Sequence, residues 1–133
     1  PLETFILIQR VEGLDPGLYR YVGPSHQIQN LQAPDTMAAS IAATSLQPEL
    51  IQTSAVTFIW TAVAYRMTWR YGDRGYRYIH LEAGHVGQNL YLAAQLIDCG
   101  ICTSAAFNDD DLNRTLGIEG NDHFAVYLGV IGK

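Results

Sequence analysis

From Tyr76 to Asp98 the chain reads YRYIHLEAGHVGQNLYLAAQLID, with no proline anywhere in it. A helix over these residues would be about 35 Å long, comparable to the width of a small domain. In its second half Leu90, Leu92, Ala93, Ala94, Leu96 and Ile97 join Leu81 to give apolar residues nearly all round, and that predicts a buried central helix rather than a surface one. Gly100 is the expected C-terminal stop. Whatever else the chain forms must be laid across this helix.

Before it, Thr4 to Arg10 (TFILIQR) and the alternating Leu18 to Val22 flank a Leu14-Asp15-Pro16-Gly17 turn signal and read as a hairpin. His26 to Leu31 adds a third, edge-like strand, Asp35 to Ala43 a helix with Asp35 as N-cap, and Pro48 opens a short helical turn. Ala55 to Tyr65 (AVTFIWTAVAY) is dense in Val, Ile, Phe, Trp and Thr without Gly or Pro, so it belongs in the sheet interior. After the long helix come a strand over Ile101 to Phe107, a helix over Asp109 to Leu116 ended by Gly117, and a closing strand over Phe124 to Ile131. Hairpins mixed with inserted helices argue for an α+β fold in one domain.

Charged residues are only 16% of the 133, against about 25% in an average soluble domain. That low fraction suggests a large oligomer interface. The net charge of -5 opposes non-specific binding to nucleic acid or anionic membrane, and the strongest apolar run, Ala55 to Ala64, is well short of the roughly twenty residues that span a bilayer. No signal peptide is recognisable, and two cysteines make no disulfide framework, so a cytoplasmic setting is expected.

Several motifs are better read as structure than as chemistry. Cys99-Gly-Ile-Cys102 has C-x-x-C spacing, but Cys99 ends a predicted helix, where the macrodipole disfavours thiolate; two small buried residues are expected. His80 and His85, at i and i+5, point about 140° apart and cannot share a metal. His85 reads as a packed or capping histidine, with Gly84 and Gly87 admitting another backbone closely. Asp109-Asp110-Asp111 suits a helix start with Asn108 or Asp109 as N-cap. No metal site is predicted.

The electrostatic anomaly lies elsewhere: Arg66, Arg70, Arg74 and Arg77, four of the eight Lys and Arg residues, interleave with Tyr65, Trp69, Tyr71, Tyr76 and Tyr78. Guanidinium groups beside aromatic faces suit anion binding, base stacking or a planar substrate. A surface network joining strand to helix is the commoner use of such a cluster. RNA binding ranks third, since the rest of the chain is acidic.

Val11 to Tyr21 (VEGLDPGLYRY), Tyr71 to Tyr78 (YGDRGYRY), Leu81 to Ala94 (LEAGHVGQNLYLAA), Ala106-Phe107 and Tyr127 to Lys133 follow one another through most of the chain. In that order they resemble the C-terminal half of the nitroreductase superfamily, specifically its SagB-type branch, which includes azoline dehydrogenases acting on thiazoline- and oxazoline-containing peptides. The resemblance implies a mostly antiparallel α+β fold with a long central helix, dimeric, with two FMN sites at the interface. It implies an oxidoreductase in which flavin passes hydride between NAD(P)H and a nitro, quinone or heterocyclic substrate. Carried over residue by residue, Thr103, Ser104, Ala105 and Ala106 lie beside the isoalloxazine, with backbone N–H groups of Ala105 and Ala106 near flavin N5 and O4. Lys133 matches the basic residue that meets the FMN phosphate, and Arg70 and Tyr71 fall at the catalytic, substrate-positioning place.

Two features depart from that pattern. Many azoline dehydrogenases carry Lys-Tyr where this chain has Arg70-Tyr71, and arginine is too basic to serve as a ready proton acceptor; Arg70 is expected to bind an anionic substrate or orient Tyr71. The Arg-x-Ser-x-Arg phosphate cradle of the family's N-terminal half does not occur in the sequence. The expectation is a partial domain, as a proteolytic product, a cloned fragment or one half of a split protein, stable as a homodimer or paired with the missing N-terminal half. A non-catalytic binding or interaction module using the Arg/Tyr cluster is the alternative.

Overall fold

The computed structural model describes residues 1–132, so Lys133 lies outside the described residues. Six strands form one antiparallel sheet in the order β3-β2-β1-β4-β6-β5. They are β1 (Leu2–Ile8), β2 (Gly17–Val22), β3 (Gln27–Asn30), β4 (Val56–Val63), β5 (Gly100–Ser104) and β6 (His123–Gly132). The helices are α1 (Met37–Thr44), α2 (Pro48–Thr53), α3 (Tyr65–Tyr71), α4 (Arg74–Leu96) and α5 (Asp109–Leu116). This is the α+β architecture expected from the sequence.

Strand β4 is central, as its composition predicts, pairing with β1 on one side and β6 on the other. Its alternation splits the core. Ile59 joins Phe5, Leu7, Leu18, Leu128 and Val130 under Ile41, Ile51 and Leu112 of α1, α2 and α5. On the opposite face Ala62, Ala64, Met67 and Ile79 bury the start of α4 against the sheet. Gly129 is what lets α4 lie close: a Cβ there would stand 2.7 Å from Leu90 and 2.9 Å from Trp60.

The long helix exists, but it is not buried all round. Only Gly75, Ile79, Ala83, Gly87 and Ala94 are buried, whereas Leu81, Leu92 and Leu96 are 53%, 55% and 87% exposed. Within one chain α4 has the sheet along one side and α3 at its N-terminal end, and Leu81, Leu92 and Leu96 face outward. Gly100 is not its stop either. The helix closes at Ile97, Asp98 takes the left-handed conformation (φ 52°), and Cys99 N–H returns to Ala94 O at 3.0 Å; Gly100 begins β5.

Two more expectations fail locally. Asp35 is not the cap of α1: the cap position is Thr36, with no side-chain bond, and Met37 N–H is taken by Pro34 O. The strand read through Tyr65 stops at Val63 and gives way to α3. Asn108, by contrast, caps α5 as expected, its Oδ1 accepting from Asp111 N–H at 3.0 Å. No helix among the described residues is long and apolar enough to cross a membrane.

Candidate functional site

Residues Tyr65 to Tyr71 are aromatic-rich and follow a β run, yet they coil because distant groups hold them. Asp122, just before β6, accepts from Tyr65 N–H at 2.6 Å with its carboxylate and from Ala64 N–H at 2.7 Å with its carbonyl. A carboxylate there satisfies an orphan amide and complements the helix dipole. Met67 is driven into the core beside Ile79, and Gly75 lets the next helix touch the α3 backbone, since its Cβ would meet Met67 C and Thr68 Cα at 3.1 Å.

At the far end of α3, Tyr71 packs edge-on against Tyr78 of α4, ring centroids 4.9 Å apart, and the Arg70 guanidinium stands 5.5 Å from the Tyr71 ring. Tyr71 and Tyr78 line a shallow 240 Å³ pocket with Met67, Leu81, Glu82 and His85. Trp69, Tyr65 and Tyr76 are exposed beside it. The elbow between α3 and α4 is therefore an aromatic surface edged with positive charge.

The four arginines of that cluster are not equivalent. Arg66 Nη1 lies 2.6 Å from Glu3 Oε1, while Arg20 Nη2 takes Oε2 of the same carboxylate at 2.6 Å. Burial acts to raise the Glu3 carboxyl, but the hydrogen bonds and charges of Arg20 and Arg66 outweigh it and hold the group below the ordinary carboxylate range. Among the described residues Arg70, Arg74 and Arg77 have no carboxylate within ion-pairing distance. Arg66 is structural; the other three are free to meet an anion.

The second group lies on β5, the sheet's outer strand, which pairs only with β6. Thr103 is gripped from two directions: Tyr127 OH donates to its Oγ1 at 2.7 Å, and its N–H donates to Tyr91 OH at 3.3 Å. Gly87 makes room for this, because a Cβ there would lie 2.9 Å from the Tyr127 ring. Gly84, expected to serve in the same way, has nothing within 4 Å.

Beyond Thr103 the chain is fixed by Ala106, whose carbonyl accepts from Leu46 N–H at 2.9 Å and whose N–H donates to Ser104 Oγ at 3.0 Å. Ala105 between them is exposed. The small side chains of Ser104, Ala105 and Ala106 leave the backbone here open to a flat ring system, Ala105 being exposed and Thr103, Ser104 and Ala106 half-buried. Ala105 N–H is the better placed donor; Ala106 N–H would first have to release Ser104. Lys133, the expected phosphate ligand, lies outside the described residues.

One chain does not bring the two groups together. Tyr71 meets α4 at Tyr78 and Thr103 meets it at Tyr91, thirteen residues further on, which is about 20 Å along a helix. Tyr91, Tyr127, Glu3 and Asp122 went unnoticed in the sequence, because a hydroxyl or carboxylate whose partner is distant in the chain leaves no local pattern.

The remaining motifs are mostly as plain as their spacing implies. Cys99 and Cys102 are free thiols, but they are half-buried and exposed rather than buried. His85 is exposed, its Nδ1 2.7 Å from Leu81 O, so it neither packs nor caps a helix end. Among the described residues no three His, Cys, Asp or Glu side chains gather as a metal site.

The nitroreductase family model matches residues 1–133. The nitroreductase homologue MJ1384 of Methanocaldococcus jannaschii is 34% identical over 119 residues, covering 90% of this chain and 60% of its own. A solved nitroreductase homologue from Anabaena variabilis superposes with a TM-score of 0.89 at 29% identity, over 98% of this chain and 27% of that one. A chain of the Escherichia coli microcin synthetase McbBCD complex, with truncated pro-MccB17 bound, superposes at 0.85 and 19% identity, over 100% of this chain and 52% of that one; at that identity the likeness is one of fold. The chain thus spans 60% of the curated relative and about a quarter of the Anabaena protein.

Proposed function

This chain belongs to the nitroreductase family, and on that footing we propose that it is the C-terminal part of an FMN-dependent oxidoreductase that takes reducing equivalents from NAD(P)H and passes them to a nitro, quinone or heterocyclic acceptor, or oxidises a heterocycle. The observation that carries the reading is the half-buried Thr103–Ala106 segment, exposed at Ala105, with its small side chains and rigid backing, in a chain matched end to end by the family. When bound, FMN supplies the two-electron chemistry. The protein's part is to orient and to stabilise charge. Backbone N–H groups at Ala105 and Ala106 would face the ring, and Lys133 would neutralise phosphate.

Arg70 and Tyr71 are assigned to the substrate. Arg70 is permanently cationic and does not accept a proton; it holds an anionic group, while the Tyr71 hydroxyl can donate a hydrogen bond to charge developing on the acceptor. Because the elbow and the β5 edge are about 20 Å apart along α4, both can serve one site only if a second chain supplies one of them. A homodimer with antiparallel α4 helices does this, and it also covers the exposed Leu81, Leu92 and Leu96. Pairing with an N-terminal half is the other way to cover that face.

Within the family we favour the SagB-type branch, on the resemblance carried by the Tyr71 to Tyr78 and Leu81 to Ala94 segments. A specific observation supports a second reading: among the described residues Arg70, Arg74 and Arg77 have no carboxylate within ion-pairing distance, as a binding module for an anionic ligand would need. Steady-state kinetics of the intact gene product with Arg70→Ala separate the two. The oxidoreductase reading expects the acceptor KM to rise about tenfold or more with flavin content unchanged; loss of flavin along with substrate would contradict the assignment.

A further inference from the structure

We infer that Glu3 and Asp122 are positioning residues, which hold α3 at a fixed pitch on the sheet so that Arg70 and Tyr71 present themselves correctly to the electron acceptor; this rests on the substrate-side reading of those two residues. Two carboxylates from opposite sides of β4 grip the same short helix. Glu3 on β1 uses Oε1 for Arg66 in the first turn of α3 and Oε2 for Arg20 on β2. Asp122 takes the first amide of α3, Tyr65 N–H, and the preceding Ala64 N–H.

Both grips are themselves braced. Glu3 is largely shielded, with a side-chain exposure of 12%, so its ion pairs are less screened than surface ones. The loop carrying Asp122 is closed by Glu119, whose carboxylate accepts from Asn121 N–H and His123 N–H. Both carboxylates act at the N-terminal end of α3, while at its other end Tyr71 packs on Tyr78. From Arg66 to Arg70 is four residues, about 6 Å along the axis, so a small tilt at the fastened end is carried directly to Arg70 and Tyr71.

The Arg66 link also explains why one arginine of the cluster is committed while its neighbours are free. It is a strut, and the free guanidiniums lie beyond it. Misplacement of a positioned group by about 1 Å can cost on the order of a hundredfold in rate, so the strut need move little to matter.

The test uses the intact gene product with Glu3→Gln, Asp122→Ala and Asp122→Asn. Glu3→Gln and Asp122→Ala should lower kcat/KM for the acceptor on the order of tenfold, mainly through KM, with flavin content near the parent's and a few degrees lost in melting temperature. Asp122→Asn keeps an acceptor oxygen and should restore most of the loss. In an Arg70→Ala, Tyr71→Phe double background Glu3→Gln should add nothing. Parent-like KM in Glu3→Gln while Arg70→Ala is impaired overturns the inference alone, as does a Glu3→Gln protein that loses flavin. An Arg70→Ala protein with unchanged KM sinks the substrate-side reading and this inference with it.

Discussion

Two glycines three residues apart on α4 should respond to alanine with opposite signs. In a helix interior Gly→Ala gains about 1 kcal/mol, and at Gly84, where an added Cβ meets nothing within 4 Å, that gain should appear in full. At Gly87 the added Cβ lies 2.9 Å from Tyr127 Cε1. Forcing a methyl into a packed contact costs about 1–3 kcal/mol, and displacing the ring also strains the 2.7 Å Tyr127–Thr103 bond, worth about 1 kcal/mol. Against the 1 kcal/mol of propensity the balance is a loss of about 1–3 kcal/mol. At roughly 4 °C per kcal/mol for a domain of this size, Gly87→Ala should melt about 4–12 °C below the parent by circular dichroism. Gly84→Ala should match or exceed the parent. Removing the ring with Tyr127→Ala should turn Gly87→Ala from harmful to neutral or better in that background. If Gly87→Ala melts with the parent, the close contact that sets β5 against α4 is not there.

Other consequences are as direct. Leu92→Glu places a charge on the exposed face of α4; if a second copy covers that face, sedimentation should show the dimer lost, and an unchanged dimer would place the interface elsewhere. Asn108→Ala removes the cap bond to Asp111 N–H and should cost about 1 kcal/mol in urea unfolding. For pH, Glu3 is held below its ordinary value near 4.5 by Arg20 and Arg66 against the opposing effect of burial, and His123 is held below 6.5 chiefly by burial. In both cases the unfolded chain binds the proton more readily, so stability is complete above the unfolded value and falls as pH drops through the folded one. Unfolding free energy should therefore decline from about pH 6.5 downward and again from about 4.5 downward, and Glu3→Gln should flatten the acid part; an unchanged slope would remove the Glu3 ion pairs from the explanation.

The legible parts of the fold were those where local pattern and tertiary contact agree. Central β4 declares itself by β-branched and aromatic density, and α5 by an Asn cap, three first-turn acids and a glycine stop. Where the determinant is far away in the chain, the pattern misleads. Tyr65 to Tyr71 has strand-like composition, yet α3 forms because Asp122 caps it and Met67 is buried beside Ile79. Gly100 has the residue type of a helix stop, yet the left-handed turn falls on Asp98. The apolar second half of α4 marked it as buried all round, yet Leu92 and Leu96 are exposed. The Arg/Tyr cluster stood out by composition, but only geometry separates Arg66, tied to Glu3, from the unpaired Arg70, Arg74 and Arg77.

The flavin itself is the sharpest issue, and the visible absorption spectrum of the purified intact gene product addresses it, with chromatographic identification of whatever is released on denaturation. A Thr103–Ala106 edge that serves an isoalloxazine predicts stoichiometric FMN, retained in Arg70→Ala. A colourless protein that takes up no added FMN would contradict a flavin-based oxidoreductase and leave the anion-binding module as the reading to pursue.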